Sequence, residues 1–362
     1  MTNKKIAVIG GGIVGSTAAY YLSRNGHQVT VFDEGIGQAT SAAAGIICPW
    51  LSKRRNKKWY RLASDGAAFY SHICQDITAD QGDISFYNKN GAILTKKTSQ
   101  ALEKLYALGL ERRHTAPEIG DLKILSKKDL ETYFPSLPSQ ENALFVSGGA
   151  RVDGEAMVRE LLTLVEKNGG QIIRENVPLE QSLLDDYDKI IIAAGAWLPQ
   201  LLEPLSWNVD IRGQKGQLVV LQTDDYNNQH QPVMMPEGEI DILPIGDGIV
   251  FIGASHENDK GYDLLPDEKV IQNLIKKGKT LFDILEDASL IKVKVGTRAY
   301  TSDFSPFWGY LPGSDKILVA SGLGSSGLTT GPIIGYQLAL LADNKQTDLP
   351  LEDYLPDTYL QR

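Results

Sequence analysis

Lys5-Ile-Ala-Val-Ile9 runs into Gly10-Gly-Gly12-Ile-Val-Gly15, and after one helix the chain returns through Val29-Thr-Val-Phe-Asp33-Glu34. A short apolar strand ending in glycines, a helix opened by them and a second apolar strand closed by acid form the βαβ unit that binds a dinucleotide. Gly10 permits the tight turn after the strand. Gly12 lets the backbone come close to a pyrophosphate, and Gly15 lets helix and strand pack tightly. Ile13 and Val14 open the helix, whose free N–H groups and partial positive charge face the phosphates. Asp33 ends the second strand, where a carboxylate accepts hydrogen bonds from ribose hydroxyls and argues against a 2′-phosphate. Glu34 is the alternative ribose ligand, but its side chain points to the opposite face if the strand continues.

Working outward, the 362 residues predict two or three domains, and a hydrophobic content of 42% is ample for a large core. The net charge of −9 gives no support to nucleic-acid binding, which needs a basic face. No apolar run reaches the length of a membrane span. The first apolar run flows straight into the glycine loop, so no signal peptide is expected. Cys48 and Cys74 share no metal or redox spacing, and no metal site is expected. These features predict a cytoplasmic protein of a reducing compartment.

Asn25-Gly26 closes the first helix. A run of small residues follows, Gln38-Ala-Thr-Ser41-Ala-Ala-Ala-Gly45, and then Ile46-Ile47-Cys48-Pro49-Trp50. Residues 60–77 read as a helix, and 83–96 as a strand pair turning at Asn90-Gly91. Helices are expected over 99–108, from 126 to before Pro135, over 154–168 and over 269–285. Gln171 to Val177 reads as a strand, and Lys189-Ile190-Ile-Ile as a buried parallel strand entering the small-residue turn Ala193-Ala194-Gly195-Ala196-Trp197. From 213 to 255, alternation with Gly/Asp turns predicts antiparallel sheet. The chain closes with a strand at 317–320, a glycine-rich loop at 322–327 and a helix to Ala342. The order predicts an α/β protein. A nucleotide-binding domain is assembled from 1–82, 146–212 and 291–362, and an inserted α+β substrate domain of mainly antiparallel sheet from 83–145 and 213–290.

Four features coincide: the N-terminal dinucleotide loop, the small-residue segment after it, the mid-chain strand and turn, and the second glycine loop. Together they resemble the D-amino-acid oxidase family of FAD-dependent oxidoreductases, in the branch of glycine oxidase, sarcosine oxidase and D-amino-acid dehydrogenase. The resemblance covers nearly the whole chain and is weakest from 95 to 145. It implies a Rossmann-like FAD-binding domain. Ser41, Ala42, Ala44, Gly45 and Ile46 would wrap the ribityl chain and pyrophosphate, with Ser41 donating to a phosphate. Val177 would lie against adenine, and Ala194, Gly195 and Trp197 near the nucleotide. Gly322, Leu323, Gly324, Ser325, Ser326, Gly327, Leu328 and Thr329 would present backbone donors to the pyrimidine edge of the flavin. Pro332 suits a first helical turn, where its missing N–H is not needed. No Cys or His lies between 290 and the C-terminus, which speaks for non-covalent FAD.

Val295-Gly296-Thr297-Arg298-Ala299-Tyr300 resembles the stretch whose arginine grips a substrate carboxylate. A guanidinium offers two parallel donors and keeps its charge when desolvated; the alternative for Arg298 is a structural ion pair. The resemblance implies oxidation of a small amine or amino acid of the glycine or D-amino-acid type. A hydride would pass from the α-carbon to flavin N5, and the resulting imine would hydrolyse. Oxygen or another carrier would take the electrons; a quinone acceptor would place the protein at a membrane surface. No histidine is nominated as a base. Asp241, where several relatives carry tyrosine, meets a cationic substrate amine if it faces the pocket and solvent if the register slips by one. Tyr300 and Phe307 line the pocket or belong to the core. Cys48 is read as a small packed residue. The run Lys53-Arg54-Arg55-Asn56-Lys57-Lys58 is a solvated loop or one that attracts an anion. A 2-hydroxy acid or polyol phosphate could replace the amine, the flavin could be structural or sensory, and a NAD-dependent dehydrogenase would leave the second glycine loop unexplained.

Overall fold

A computed structural model describes residues 3–134, 142–224, 228–238 and 240–362. The chain begins in the middle of a sheet. Lys5–Ile9 pairs in parallel with Gln28–Phe32 on one side and Lys189–Ile192 on the other. Gln171–Ile173 extends the first side; Ile317–Ser321 and the antiparallel Phe307–Tyr310 extend the second. The central strand is apolar at almost every position because both of its faces are covered. Ile6 and Val8 enter one core, beneath the helices Ile13–Arg24, Gly154–Lys167 and Gly327–Ala342. Ala7 and Ile9 enter another, with Leu179, Leu198 and Trp207. The helices Ile13–Arg24 and Gly327–Ala342 cross closely. A Cβ on Gly335 would stand 2.4 Å from the Val14 carbonyl oxygen, so glycine sets their separation.

The second large sheet has eight strands, in the order Ser289–Tyr300, Arg212–Gln222, Ile249–Gly253, Asp241–Gly246, Val233–Met235, Ala92–Thr95, Asn142–Val146 and Leu122–Ser126. Alternation assigns its two faces. Val219, Leu221, Ile242, Val250 and Ile252 form a core with Ile271 and Leu274 of the helix Glu268–Leu281. Leu243 points the other way, into the main core shared with the nucleotide-binding sheet. That face looks toward the small-residue segment after the second strand: a Cβ on Gly296 would meet Ala42 at 2.8 Å, and Lys294 Nζ donates to the Ser41 carbonyl.

Several expectations change. No hairpin spans 83–96: Tyr87–Asn88 pairs with Ala150–Val152 in a small three-stranded sheet, whereas Ala92–Thr95 joins the large one. Asn90-Gly91 turns the chain from one sheet to the other; Gly91 has φ +91° and donates its N–H to the Gly149 carbonyl at 2.8 Å. The strand expected to run from 171 to 177 stops at Ile173. Ser289–Tyr300 and Asn142–Val146 both belong to the eight-stranded sheet, so the chain leaves that sheet after Tyr300 and Val146 rather than at 290 and 145. The helix expected to stop before Pro135 spans Lys127–Tyr133 behind a Ser126 capping box; Pro135 itself lies outside the described residues. No helix among the described residues is long and apolar enough to cross a membrane.

Candidate flavin and substrate site

At the end of the central strand the glycines do different work. Gly10 has φ +99°, and a Cβ there would meet the Ala193 carbonyl oxygen at 2.3 Å. A Cβ on Gly15 would stand 1.8 Å from the Gly10 oxygen. Both glycines are required by the protein's own backbone. Gly12 is not: a Cβ there meets only Thr40 Oγ1, at 3.4 Å, and otherwise projects into open space. Gly195 and Gly327 meet nothing within 4 Å. These open glycines border one cavity of about 550 Å³. The helices starting at Ile13 and Gly327 both abut it, and neither N-cap residue satisfies its helix with a side-chain hydrogen bond. Two helix ends that their own N-cap residues leave uncapped, with room for a ligand in front of them, fit an anionic group such as a pyrophosphate.

The cavity is lined by Gly10, Gly12, Ile13, Val14, Asp33, Glu34, Val177, Ala194, Gly195, Trp197, Leu323, Gly324 and Gly327. The stretch from residue 5 and the loop before residue 327 thus border the same space. Glu34 lines it alongside Asp33, against the alternation argument, because the strand ends at Phe32. The Asp33 carboxylate accepts from the backbone of Gly11 and from Gln38 Nε2 at 2.9 Å, which ties the glycine turn to the next loop. Gln38, Ala39, Thr40, Thr297 and Ser321 also line the cavity; the first four lie within stretches the sequence singles out, but the sequence assigns them no role toward the cofactor. Thr40 Oγ1 accepts the Ile13 N–H at 3.1 Å, and Ser321 donates to the Gly195 carbonyl at 2.8 Å.

The remaining residues of the expected cofactor set sit behind this wall. Ser41 turns its hydroxyl toward Gln38 at 3.5 Å, and its carbonyl accepts from Lys294 Nζ at 3.0 Å. Ala42 is small because the sheet is close; a Cβ on Gly296 would stand 2.8 Å from its methyl. Gly45, at φ +81°, lies against the Val152 carbonyl, and Ala44 and Ile46 pack on the main core. At the other end, Gly322 has φ +78° and abuts Ser305. The Ser325 N–H donates to the Tyr300 hydroxyl at 3.1 Å, and Ser326 accepts from Trp59 Nε1 at 3.2 Å. Leu328 and Thr329 are buried in the first turn of the helix. Pro332 lies in the second turn, not the first, since the helix begins at Gly327. Proline cannot donate to the carbonyl four residues back. That carbonyl, on Leu328, instead accepts the buried Tyr70 hydroxyl at 2.6 Å.

Arg298 lies on the sheet face that looks toward the small-residue segment 38–42; the cavity of the glycine loops is lined by its neighbours Thr297 and Ala299 and not by Arg298 or Asp241 themselves. Its guanidinium lies over Gly216 of the next strand, where a Cβ would approach it to 2.6 Å. Nη1 donates to Gln214 Oε1 at 3.0 Å and to the Ser255 carbonyl at 2.9 Å. Nε and Nη2 make no hydrogen bond among the described residues, and no carboxylate forms an ion pair with the group. Burial lowers its pKa from the ordinary arginine value, with Tyr300 and Glu257 pulling the other way; an arginine stays cationic regardless. Asp241 begins its strand on the same face, partly exposed, and burial pushes its carboxyl up to about 7. Tyr300 braces the glycine loop, its ring close against Gly324. Phe307 is fully buried in the core and stacks on Tyr359.

The basic run divides. Arg54 turns inward, over the Trp59 ring and onto the Phe304 carbonyl; Asn56 caps the helix Lys57–Ala79; Lys58 pairs with Asp353 at 3.0 Å; Lys53 and Arg55 are exposed. Cys48 is buried. Of the histidines, His27 is buried against Asp343, and His72 pairs with Asp76 on the helix surface. No group of His, Cys, Asp and Glu fit for a metal occurs among the described residues.

Residues 5–341 match the FAD-dependent oxidoreductase family called DAO. The chain belongs to this family. It is 37% identical to the oxidoreductase YurR of Bacillus subtilis (strain 168) over 366 residues, covering 98% of each chain. Its structure superposes on the iminodiacetate oxidase of Chelativorans sp. BNC1 with a TM-score of 0.92 and 31% identity, covering 97% of this chain and 99% of the other. The glycine oxidase of Geobacillus kaustophilus gives a TM-score of 0.84 at 21% identity over 98% of both chains, a likeness of fold. As a DAO-family member the chain is an FAD-dependent oxidoreductase, and the cavity between its glycine loops has the open glycines and helix ends that FAD needs.

Proposed function

We propose that this DAO-family chain oxidises a small amine or amino acid that carries a carboxylate, with FAD held non-covalently between its two glycine loops. Arg298 carries the reading. A partly buried guanidinium with Nη1 fixed by Gln214 and Ser255 has its rotation locked. Nε and Nη2 are then left as a planar pair of donors, the geometry that grips a carboxylate by two parallel bonds. A structural arginine would present that pair to an aspartate or glutamate. FAD, when bound, supplies the two-electron acceptor for oxidation of a carbon–nitrogen bond to an imine. The protein's share is positional: Arg298 fixes the acid end, the sheet face excludes water, and the substrate's α-carbon is held in one orientation. The iminodiacetate oxidase and glycine oxidase relatives, named for substrates that are amines bearing carboxylates, support the reading.

The test is anaerobic bleaching of the yellow protein by glycine, sarcosine, iminodiacetate, D-amino acids, proline and 2-hydroxy acids. Bleaching by one or more carboxylate-bearing amines, with recolouring on admission of oxygen or a quinone, is expected. Bleaching by hydroxy acids alone would replace the amine reading. A flavin that none of them bleaches would end it.

A further inference from the structure

Asp241 is a carboxylate that the protein does not use. It opens the strand Asp241–Gly246 on the face opposite Ile242, whose side chain enters the core behind the sheet. Its partner across the strand pair is Gly253, which offers no side chain. On the other side the Met234–Ile242 pairing places Met235 beside it. The loop carrying Cys48 packs close enough for the thiol to feel its charge. Among the described residues no donor bonds it and no cation pairs with it. A half-buried carboxylate without a protein partner is partly desolvated for nothing the protein itself gains, and such groups persist where a ligand supplies the partner.

Its position relative to Arg298 follows from the register. The Arg298 guanidinium lies over Gly216, while Asp241 and Gly253 lie in the row of Leu218. From Gly216 to Asp241 is two strands across and two residues along. At ~4.8 Å per strand and ~3.4 Å per residue, the backbone positions are ~12 Å apart. An α-amino acid with a hydrogen bond of ~2.8 Å at each end spans ~9 Å, so the two side chains must lean toward each other across the face to hold one.

Resting on the reading of Arg298 as the carboxylate clamp, we propose that Asp241 is the counterion of the substrate's ammonium group, so that the site receives zwitterionic α-amino acids and selects them over 2-hydroxy acids of the same size. One end of the substrate is read by a fork of donors, the other by a single anion. A hydroxy acid offers that anion no charge.

The pH dependence has a definite sign. Burial holds the Asp241 carboxyl at about 7. The ammonium group binds the ionised form, so affinity for an amino acid rises about tenfold per pH unit up to about 7 and is level above it until the ammonium group loses its own proton. The titratable group facing Asp241 is Cys48, which burial pushes up to about 12, so it stays a neutral thiol throughout. Stability runs the other way. The native protein retains a proton between the ordinary aspartate value of 3.8 and about 7 that the unfolded chain releases, so stability falls as pH rises through that window.

The experiment uses the FAD-loaded protein and its Asp241→Asn variant, with glycine and glycolate as equal-sized probes and the flavin absorption change as readout under anaerobic conditions. Asp241→Asn should weaken glycine at least tenfold at pH 8, leave glycolate within twofold, abolish the pH dependence of glycine binding, and raise the melting temperature at pH 8. A variant that binds glycine as the wild type does would overturn the assignment. So would equal weakening of both probes, or a lowered melting temperature, which mark a structural carboxylate. A wild type responding to neither probe would overturn this proposal, and one that no carboxylate-bearing amine bleaches would overturn the Arg298 reading with it.

Discussion

The nucleotide cradle and the substrate face are built from different materials. In the cradle the protein contributes backbone: Gly10 and Gly15 are glycines because a Cβ would strike neighbouring carbonyls, while Gly12, Gly195 and Gly327 leave space for something else. On the sheet face it contributes side chains, Arg298 and Asp241, whose meaning depends on which strands lie beside them. The arginine's orientation is set by Gln214, 84 residues earlier in the chain. A backbone site is written in short local words. A side-chain site exists only after distant strands have found their register.

Substitution within the cradle tests that distinction most severely. Gly15→Val should leave no stable folded protein, costing more than ~4 kcal/mol, because its Cβ would stand 1.8 Å from the Gly10 oxygen. Gly12→Ala should melt within ~0.5 kcal/mol of the parent as apoprotein, yet bind FAD at least ~10-fold more weakly, since its methyl enters only the cavity. Thermal melts and flavin titration read the pair, and equal behaviour of the two glycines would erase the contrast. On the sheet face, Arg298→Ala should cut kcat/KM for a carboxylate-bearing amine by ~10²–10⁴-fold, equivalent to ~3–5 kcal/mol, while flavin content is kept. Steady-state kinetics beside the 450 nm region absorbance decides it, and unchanged turnover would remove the clamp. The smallest effect belongs between the two regions. Tyr70→Phe leaves the Leu328 carbonyl without its donor and should cost ~1–3 kcal/mol in denaturant unfolding, with substrate preference unaltered.

The same division explains what could be read from the sequence. Strand, glycines, helix and terminal acid between residues 5 and 34 are local, and the fold places them as the spacing predicts. The second glycine loop borders the same cavity as the first, which only the likeness to a family could suggest, because no local pattern joins the ends of a chain. Asn90-Gly91 is a sound turn signal that misleads about partners, for a turn fixes the reversal of the chain and not the sheet that receives it. Pro332 looks like a helix start until the carbonyl it leaves free is found on a tyrosine 258 residues away. Thr40 rather than Ser41 lines the cavity, a difference of one residue in a short helical turn that composition cannot resolve. Asp241 stood between pocket and solvent in the sequence, and only the pairing of Leu218 with Gly253, and of Gly253 with Asp241, puts it on the face of Arg298.

The central position of Lys5–Ile9 has a consequence for how the protein is made. Once made, this strand must wait for Lys189–Ile192 to cover its open edge, and longer still for the loop before residue 327 to complete the cavity. At roughly 5–20 residues per second that delay lasts tens of seconds, during which the nascent chain has an exposed apolar ribbon and half a cradle. Flavin capture therefore has to follow synthesis of the loop before residue 327, and a chain stopped before the helix Gly327–Ala342 should emerge colourless.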